Sequence, residues 1–285
     1  MEAQGTGWEW LQWHLDPVAV RLGPLAVRWY GLMYVVAFAV SRWLVVRRIR
    51  AGKGLGVSVR DIDDAITWMV VGVLLGGRLG YALFYDLPYF SAHPLEVFLP
   101  FRASEGWAFT GISGMSFHGG LVGFAVASFA FCRRRRISLH ALSELVVPAV
   151  PLGYMFGRLG NFLNGELWGR LTDVPWAMRF PLDHAENDSH PLRHPSQLYE
   201  AFGEGLLLWV ILALVRDRPF FRGRMFASYL VGYGCIRFAV EFTRQPDAQL
   251  GLVLGPFSMG QILCTAMVAA GLAVGTLWRP APTTT

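Results

Sequence analysis

The stretch PLGYMFGRLGNFLNGELWGR, residues 151–170, begins as an apolar run and ends in costly groups. Its second part, GRLGNFLNGELWGR, holds two arginines, two asparagines, a glutamate and four glycines. An ionisable side chain at mid-bilayer costs about 2.5–3.5 kcal/mol on insertion scales, so such groups need a reason to be there. On a continued helix Arg158, Asn161 and Asn164 are three apart and share a face. The glycines leave that face thin and predict a helix break in its second half. A guanidinium beside amides on a thin backbone makes an anion-binding wall. The competing reading is a helix C-terminus with an interfacial arginine and capping amides. It leaves the second asparagine, Glu166 and Arg170 without a purpose.

Composition says what surrounds this stretch. Of 285 residues, 54% are hydrophobic and 16% charged, and mean hydropathy is +0.39. A soluble domain keeps about a quarter of its residues charged, so an integral membrane protein is expected. Apolar segments fall at 25–46, 62–85, 112–132, 142–160, 198–215, 225–243 and 257–278, several of them near the ~20 residues that cross a bilayer. The predicted fold is an all-α polytopic bundle of about seven transmembrane helices, forming a single domain over 1–285.

Charge orients the bundle. The basic excess is almost wholly arginine, since Lys53 is the only lysine. It sits in RRIRAGKGLGVSVR (47–60), RRRR (133–136) and RDRPFFRGR (216–224), the connections after spans one, three and five. The positive-inside rule makes that side cytoplasmic. The N-terminus is then periplasmic and the C-terminus cytoplasmic, with periplasmic segments near 86–111, 161–197 and 244–256. Most arginines cluster in short inter-span loops, which need not mean nucleic acid, and no soluble segment shows the aromatic–basic interleaving that would. Trp8, Trp10 and Trp13 in an acidic N-terminal stretch suit a membrane interface better than a signal peptide. Cys132, Cys235 and Cys264 form no C-x-x-C pair, so neither a zinc site nor a disulfide framework is expected.

Further polar groups lie at membrane depth, each with a bland reading beside it. RWYGLMY (28–34) brings Arg28, Tyr30 and Tyr34; Arg28 can snorkel to the interface and Tyr30 can belong to an aromatic belt. GGRLGYALFYD (76–86) brings Arg78, whose bland partners are Asp86 or a helix-end carbonyl. GISGMSFHGGLVGF (111–124) brings His118, either a helix–helix contact or a proton acceptor near neutral pH. RHPSQLYEA (193–201) adds His194, Gln197, Tyr199 and Glu200. In YGCIRFAVEFTRQPD (233–247), Arg237 and Glu241 are i,i+4 and face each other, with Arg244 following. On the predicted topology these clusters meet at the outer side. Several arginines and few acids there imply a cationic cavity for an anionic ligand, and lateral access from the bilayer points to a phospholipid head group.

GRLGNFLNGELWGR, RWYGLMY, SFHGGLVG, RHPSQLYEA and RFAVEFTRQPDAQLG together resemble the signatures of the bacterial prolipoprotein diacylglyceryl transferases, in the family's order and over most of the chain. The resemblance implies a seven-span inner-membrane bundle with a periplasmic N-terminus. It implies transfer of the diacylglyceryl group of phosphatidylglycerol to the lipobox cysteine in the signal peptide of a preprolipoprotein, with glycerol phosphate released. Arg158 and Arg237 match the family's essential arginines. Tyr30, His118, Asn161, Glu166, Gly169 and Glu241 match its other functional positions, and Arg244 and His194 join them as substrate-binding candidates. No metal or cofactor is implied. His118, Glu166 and a lipid phosphate oxygen all remain candidates for the thiol proton. The alternative from another class is a transporter or flippase for an anionic lipid, which intramembrane arginines also serve. A membrane acyltransferase would show a short-spaced His-Asp pair, and none stands beside His118.

Overall fold

A computed structural model describes residues 16–23, 25–99, 101–102, 108–109, 114–180, 182–183, 190–245 and 252–277. The tryptophans at 8, 10 and 13, and parts of the three segments expected in the periplasm, lie outside the described residues. The chain is mostly helical. A hairpin of β1 (Val18–Leu22) and β2 (Leu25–Arg28) leads into α1 (Trp29–Arg48). Then come α2 (Val59–Phe84), α3 (Leu87–Ala92), a two-residue pair β3 (Phe101–Arg102) and β4 (Ala108–Phe109), and α4 (Phe117–Arg135). Helices α5 (Leu139–Val146) and α6 (Val150–Leu163) are joined by a tight turn at Val147–Ala149. Helices α7 (Ser196–Glu200) and α8 (Leu208–Val215) are continuous through a π-helical segment, Ala201–Leu207. The chain goes on with α9 (Met225–Val240), a small hairpin of β5 (Leu252–Leu254) and β6 (Phe257–Ser258), and α10 (Met259–Leu277).

Among the described residues five helices are long and apolar enough to cross a membrane: Trp29–Lys53, Val59–Phe84, Leu139–Leu163, Ser196–Val215 and Met259–Leu277. The third and sixth expected spans are helices too, but α4 ends in Arg133, Arg134 and Arg135 and α9 is only 16 residues long. Large apolar side chains such as Val35, Phe84, Val122 and Leu272 point outward. A coat of this kind belongs in lipid rather than water. The first span also starts later than the hydropathy suggests. Arg28 ends β2 instead of sitting inside a helix, because hydropathy alone does not separate an apolar strand from an apolar helix.

The chain divides into two compact units, residues 48–142 and residues 1–47 with 143–285. In the first of these, Ser58 and Asp61 form a reciprocal capping box that starts α2. Ser116 caps α4 through the Gly119 amide. The two helices pack backbone to backbone. A Cβ on Gly80 would stand 2.7 Å from the Gly119 Cα, so only hydrogen fits there. Arg78 is held by the carbonyls of Glu96 (2.9 Å), Val97 (2.8 Å) and Gly114 (3.1 Å). Of the two bland partners read from the sequence, Asp86 and a helix-end carbonyl, it is the carbonyls that are met, two of them at the end of the short 3-10 turn Pro94–Val97, since an arginine fork satisfies several carbonyls at once.

In the other unit, α1 packs on α6, with the Tyr30 ring against the Gly160 backbone. Beyond α6 the chain turns through Gly165 (φ 68°) and Leu167 (φ 60°), the break that the glycine spacing predicts. Phe162, Met178 and Phe180 then form a small core, flanked by Trp168 and Leu198. Arg193 ties this loop down by an ion pair with Asp183.

Candidate active site

The last two turns of α6 aim a polar row at one side. Arg158 Nη1 donates to Asn161 Oδ1 at 3.2 Å, and Asn161 Nδ2 donates to Glu166 Oε1 at 2.9 Å. Asn164, at the end of the helix, reaches the same Glu166 oxygen at 3.4 Å. The three-residue spacing read from the sequence therefore becomes a hydrogen-bonded chain, with Glu166 closing it from the turn that follows.

Arg158 Nε also stands 2.7 Å from the Tyr154 hydroxyl and 2.8 Å from Glu200 Oε2. Glu200 Oε2 meets Arg237 Nη1 at 2.8 Å, and Glu200 Oε1 meets Arg244 Nη1 at 3.2 Å. Arg237 reaches Glu204 Oε1 at 3.2 Å and Glu241 Oε2 at 3.1 Å. The Tyr154 hydroxyl donates to Glu204 Oε2 at 2.7 Å. Ser258 donates to the other oxygen of Glu241 at 3.0 Å. Arg158, Arg237 and Arg244 thus meet Glu200, Glu204 and Glu241 in one network.

That network corrects the charge count expected from the sequence. Glu200 and Glu204 have no exposure at all, and Glu241 is 6% exposed. Three guanidiniums face three carboxylates, so the cluster is balanced rather than rich in arginine with few acids. Burial explains the pairing, because an unpaired buried charge costs several kcal/mol. Sequence reasoning had not placed Tyr154 or Glu204 in the site. For Glu204 a signal was present: a single acid in the apolar run AFGEGLLLWV, i,i+4 from Glu200.

Gly169, His194 and Arg244 come together through the backbone. Gly169 bridges Arg244 as an isolated antiparallel pair, and its amide donates to the His194 carbonyl at 2.9 Å. A Cβ on Gly169 would stand 2.7 Å from the His194 Cβ, which accounts for glycine at this position. Arg170 Nε donates to the Arg244 carbonyl at 2.7 Å. The His194 ring pairs through Nδ1 with the Tyr199 hydroxyl at 3.2 Å, and that hydroxyl accepts from Trp176 Nε1 at 2.6 Å. Partial burial pulls the His194 imidazole below its ordinary range, so it stays neutral at physiological pH.

Tyr30 stands on α1 in the same unit, with its hydroxyl 3.0 Å from that of Tyr34. His118 belongs to the other unit. It is the second residue of α4, exposed, with Phe117 packed edge-on at 5.7 Å between ring centroids. A cavity of about 310 Å³ in that unit is lined by Phe129, Cys132, Arg133, Arg136, Ile137 and Leu139, none of them a residue of the arginine–glutamate network. Among the described residues no group of three or more His, Cys, Asp or Glu is arranged to hold a metal ion.

Residues 17–277 match the family model of the prolipoprotein diacylglyceryl transferases. The chain belongs to this family. The phosphatidylglycerol–prolipoprotein diacylglyceryl transferase of Bordetella parapertussis is 50% identical over 257 residues, covering 90% of this chain and 93% of the relative. The enzyme of that name from Chlorobaculum tepidum is 47% identical over 270 residues, or 94% of this chain and 92% of the relative. The one from Geobacter sulfurreducens is 48% identical over 266 residues, or 93% and 95%. Within the prolipoprotein diacylglyceryl transferase family, this chain is a multi-pass membrane transferase, and GRLGNFLNGELWGR lies inside the matched region.

Proposed function

We propose that the chain transfers the sn-1,2-diacylglyceryl group of phosphatidylglycerol to the lipobox cysteine thiol of a preprolipoprotein. A carbon–sulfur bond forms, the glycerol carbon–oxygen bond breaks, and glycerol phosphate leaves. The thiol proton goes to a base. The observation that carries this reading is the approach of Arg158 and Arg237 to one oxygen, Glu200 Oε2, each at 2.8 Å. Two guanidiniums that converge on one anionic oxygen are spaced to converge on a phosphate as well.

The parts divide as follows. Arg158 and Arg237 stabilise the charge that grows on the leaving phosphate, in a site shielded from water. Asn161 and Tyr30 hold phosphate or glycerol oxygens. Glu241 orients Arg237. Gly169, His194 and Arg244 shape the mouth, with His194 a neutral polar group there. His118 takes the proton from the thiol, which must become a thiolate to attack carbon. Glu166 is its rival for that role.

The same reading gives the setting: seven spans in the bacterial inner membrane, with α4 and α9 crossing as well as the five helices that are long and apolar enough by themselves. All of 1–285 serves one transferase domain, with a periplasmic N-terminus, a cytoplasmic C-terminus and the site open to the periplasmic side. Segments 86–111, 161–197 and 244–256 face the periplasm. The loop arginines support this orientation.

The test uses purified protein, labelled phosphatidylglycerol and a synthetic lipobox peptide. A thioether-linked diacylglyceryl peptide is the expected product. A folded, lipid-binding protein that makes none would remove the transferase reading and leave lipid transport as the function.

A further inference from the structure

Three arginines from two separate parts of the chain end on one glutamate. Glu200 lies where α7 passes into the π-helical segment and has no solvent exposure. Its Oε2 takes Arg158 Nε and Arg237 Nη1, each at 2.8 Å, and lies 3.1 Å from the Tyr154 hydroxyl. Its Oε1 takes Arg244 Nη1 at 3.2 Å. Glu204, one turn on, meets Arg237 and Tyr154; Arg158 has its carboxylate partner in Glu200, and Arg244 divides between Glu200 and, at 3.5 Å, Glu241. π-helical segments inside longer helices recur at functional sites, where the extra residue re-aims a side chain.

We infer that Glu200 is a positioning residue of the transfer reaction: it sets the spacing and orientation at which Arg158, Arg237 and Arg244 receive the lipid phosphate. The inference rests on the transferase reading proposed above. Its physical content is a conflict of effects. A buried carboxylate beside the phosphate site repels an anionic lipid, so by itself it weakens binding. Without it Arg158 has no carboxylate partner left among the described residues and Arg237 and Arg244 keep only Glu204 and Glu241, so mutual repulsion moves the guanidiniums off the spacing that matches a phosphate. A residue kept for fold stability would give a different pattern when replaced, with binding and turnover lost together.

The experiment compares wild type with Glu200→Gln and Glu200→Asp in proteoliposomes of phosphatidylglycerol and phosphatidylethanolamine. It measures kcat, KM for phosphatidylglycerol and melting temperature, with the lipobox peptide saturating. Glu200→Gln is expected to lower kcat about 100-fold while KM stays level or falls, as misplacement of a reacting group by ~1 Å does. Glu200→Asp keeps the charge and retracts it by one methylene, and its kcat is expected to fall between the other two. A folded Glu200→Gln variant with kcat within about threefold of wild type overturns the inference, as does a KM that rises in step with the loss of kcat. Should Glu200→Gln fail to fold, Glu200→Asp decides. A folded variant with kcat at least about tenfold down at unchanged KM supports the inference, and wild-type kcat or a second failure to fold overturns it. Absence of product from wild type itself would instead strike the transferase reading.

Discussion

Arg237 Nη2 lies 3.1 Å from Glu241 Oε2, one helical turn along, at the place where α9 ends. The pair is anchored at both sides. Arg237 also meets Glu200 and Glu204, and Glu241 accepts from Ser258 at the start of the last helix. A guanidinium held from several directions keeps one orientation through a reaction cycle, as a preorganised electrostatic site requires.

Replacing Arg237 by alanine should abolish thioether formation. It also leaves Glu200, Glu204 and Glu241 short of a partner, which costs about 3–5 kcal/mol for a broken buried pair. A lower melting temperature in detergent checks this half. Arg134→Ala is the control. Arg134 is exposed, and its loss should leave turnover within about twofold of wild type, as surface changes usually do.

Arg158→Lys should insert and fold yet lose about 100-fold in kcat, since an ammonium offers no fork to share among Tyr154, Glu200 and a phosphate. Near-wild-type turnover in membranes with normal protein levels would mean that a point charge suffices.

Gly169→Ala should fail for a different reason. The new methyl would meet the His194 Cβ at 2.7 Å and its carbonyl oxygen at 2.8 Å. Forcing that strand contact apart costs about 1–3 kcal/mol. The expected result is a drop in melting temperature together with weakened lipid binding, measured in one titration. An unchanged melt would show that the loop yields freely.

The rival bases separate by pH. A cysteine thiol ionises unaided near pH 8.5, so an enzyme lacking its base should regain rate as pH climbs from about 7 to 9. His118→Asn is expected to lose about 100-fold near neutrality and to recover part of it in that window. Glu166→Gln should be slower without the recovery, because its loss disturbs Asn161 rather than proton transfer. The opposite pair of profiles would hand the role to Glu166.

Much of this architecture is written in the chain where physics is local. Apolar runs announce helices, and each expected span has one within a few residues of its predicted place. The Arg237–Glu241 contact follows from spacing on a single helix, as does Arg158 with Asn161. Long-range partners are another matter. Arg78 finds carbonyls 18, 19 and 36 residues away, and no local rule says which helix end or loop supplies them. Tyr154 reads as one more aromatic until the fold sets it between Arg158 and Glu204. The β1–β2 hairpin is equally hidden, since Val18, Val20, Val27 and Arg28 carry no turn signal stronger than the Gly23-Pro24 between them.

The balance of three arginines against three glutamates also bears on how the protein is made. Glu200 and Glu204 leave the ribosome 33 residues or more ahead of Arg237, about 2–7 seconds at ~5–20 residues per second. During that interval the helix Ser196–Val215 carries two acids into an apolar setting with Arg158 as the counter-ion already synthesised within the network. Until α9 arrives with Arg237, those two acids have Arg158 as their one guanidinium within the network. Biogenesis of the site is therefore a joint act of three helices, and a chain stopped short of residue 237 should be cleared by membrane quality control rather than accumulate.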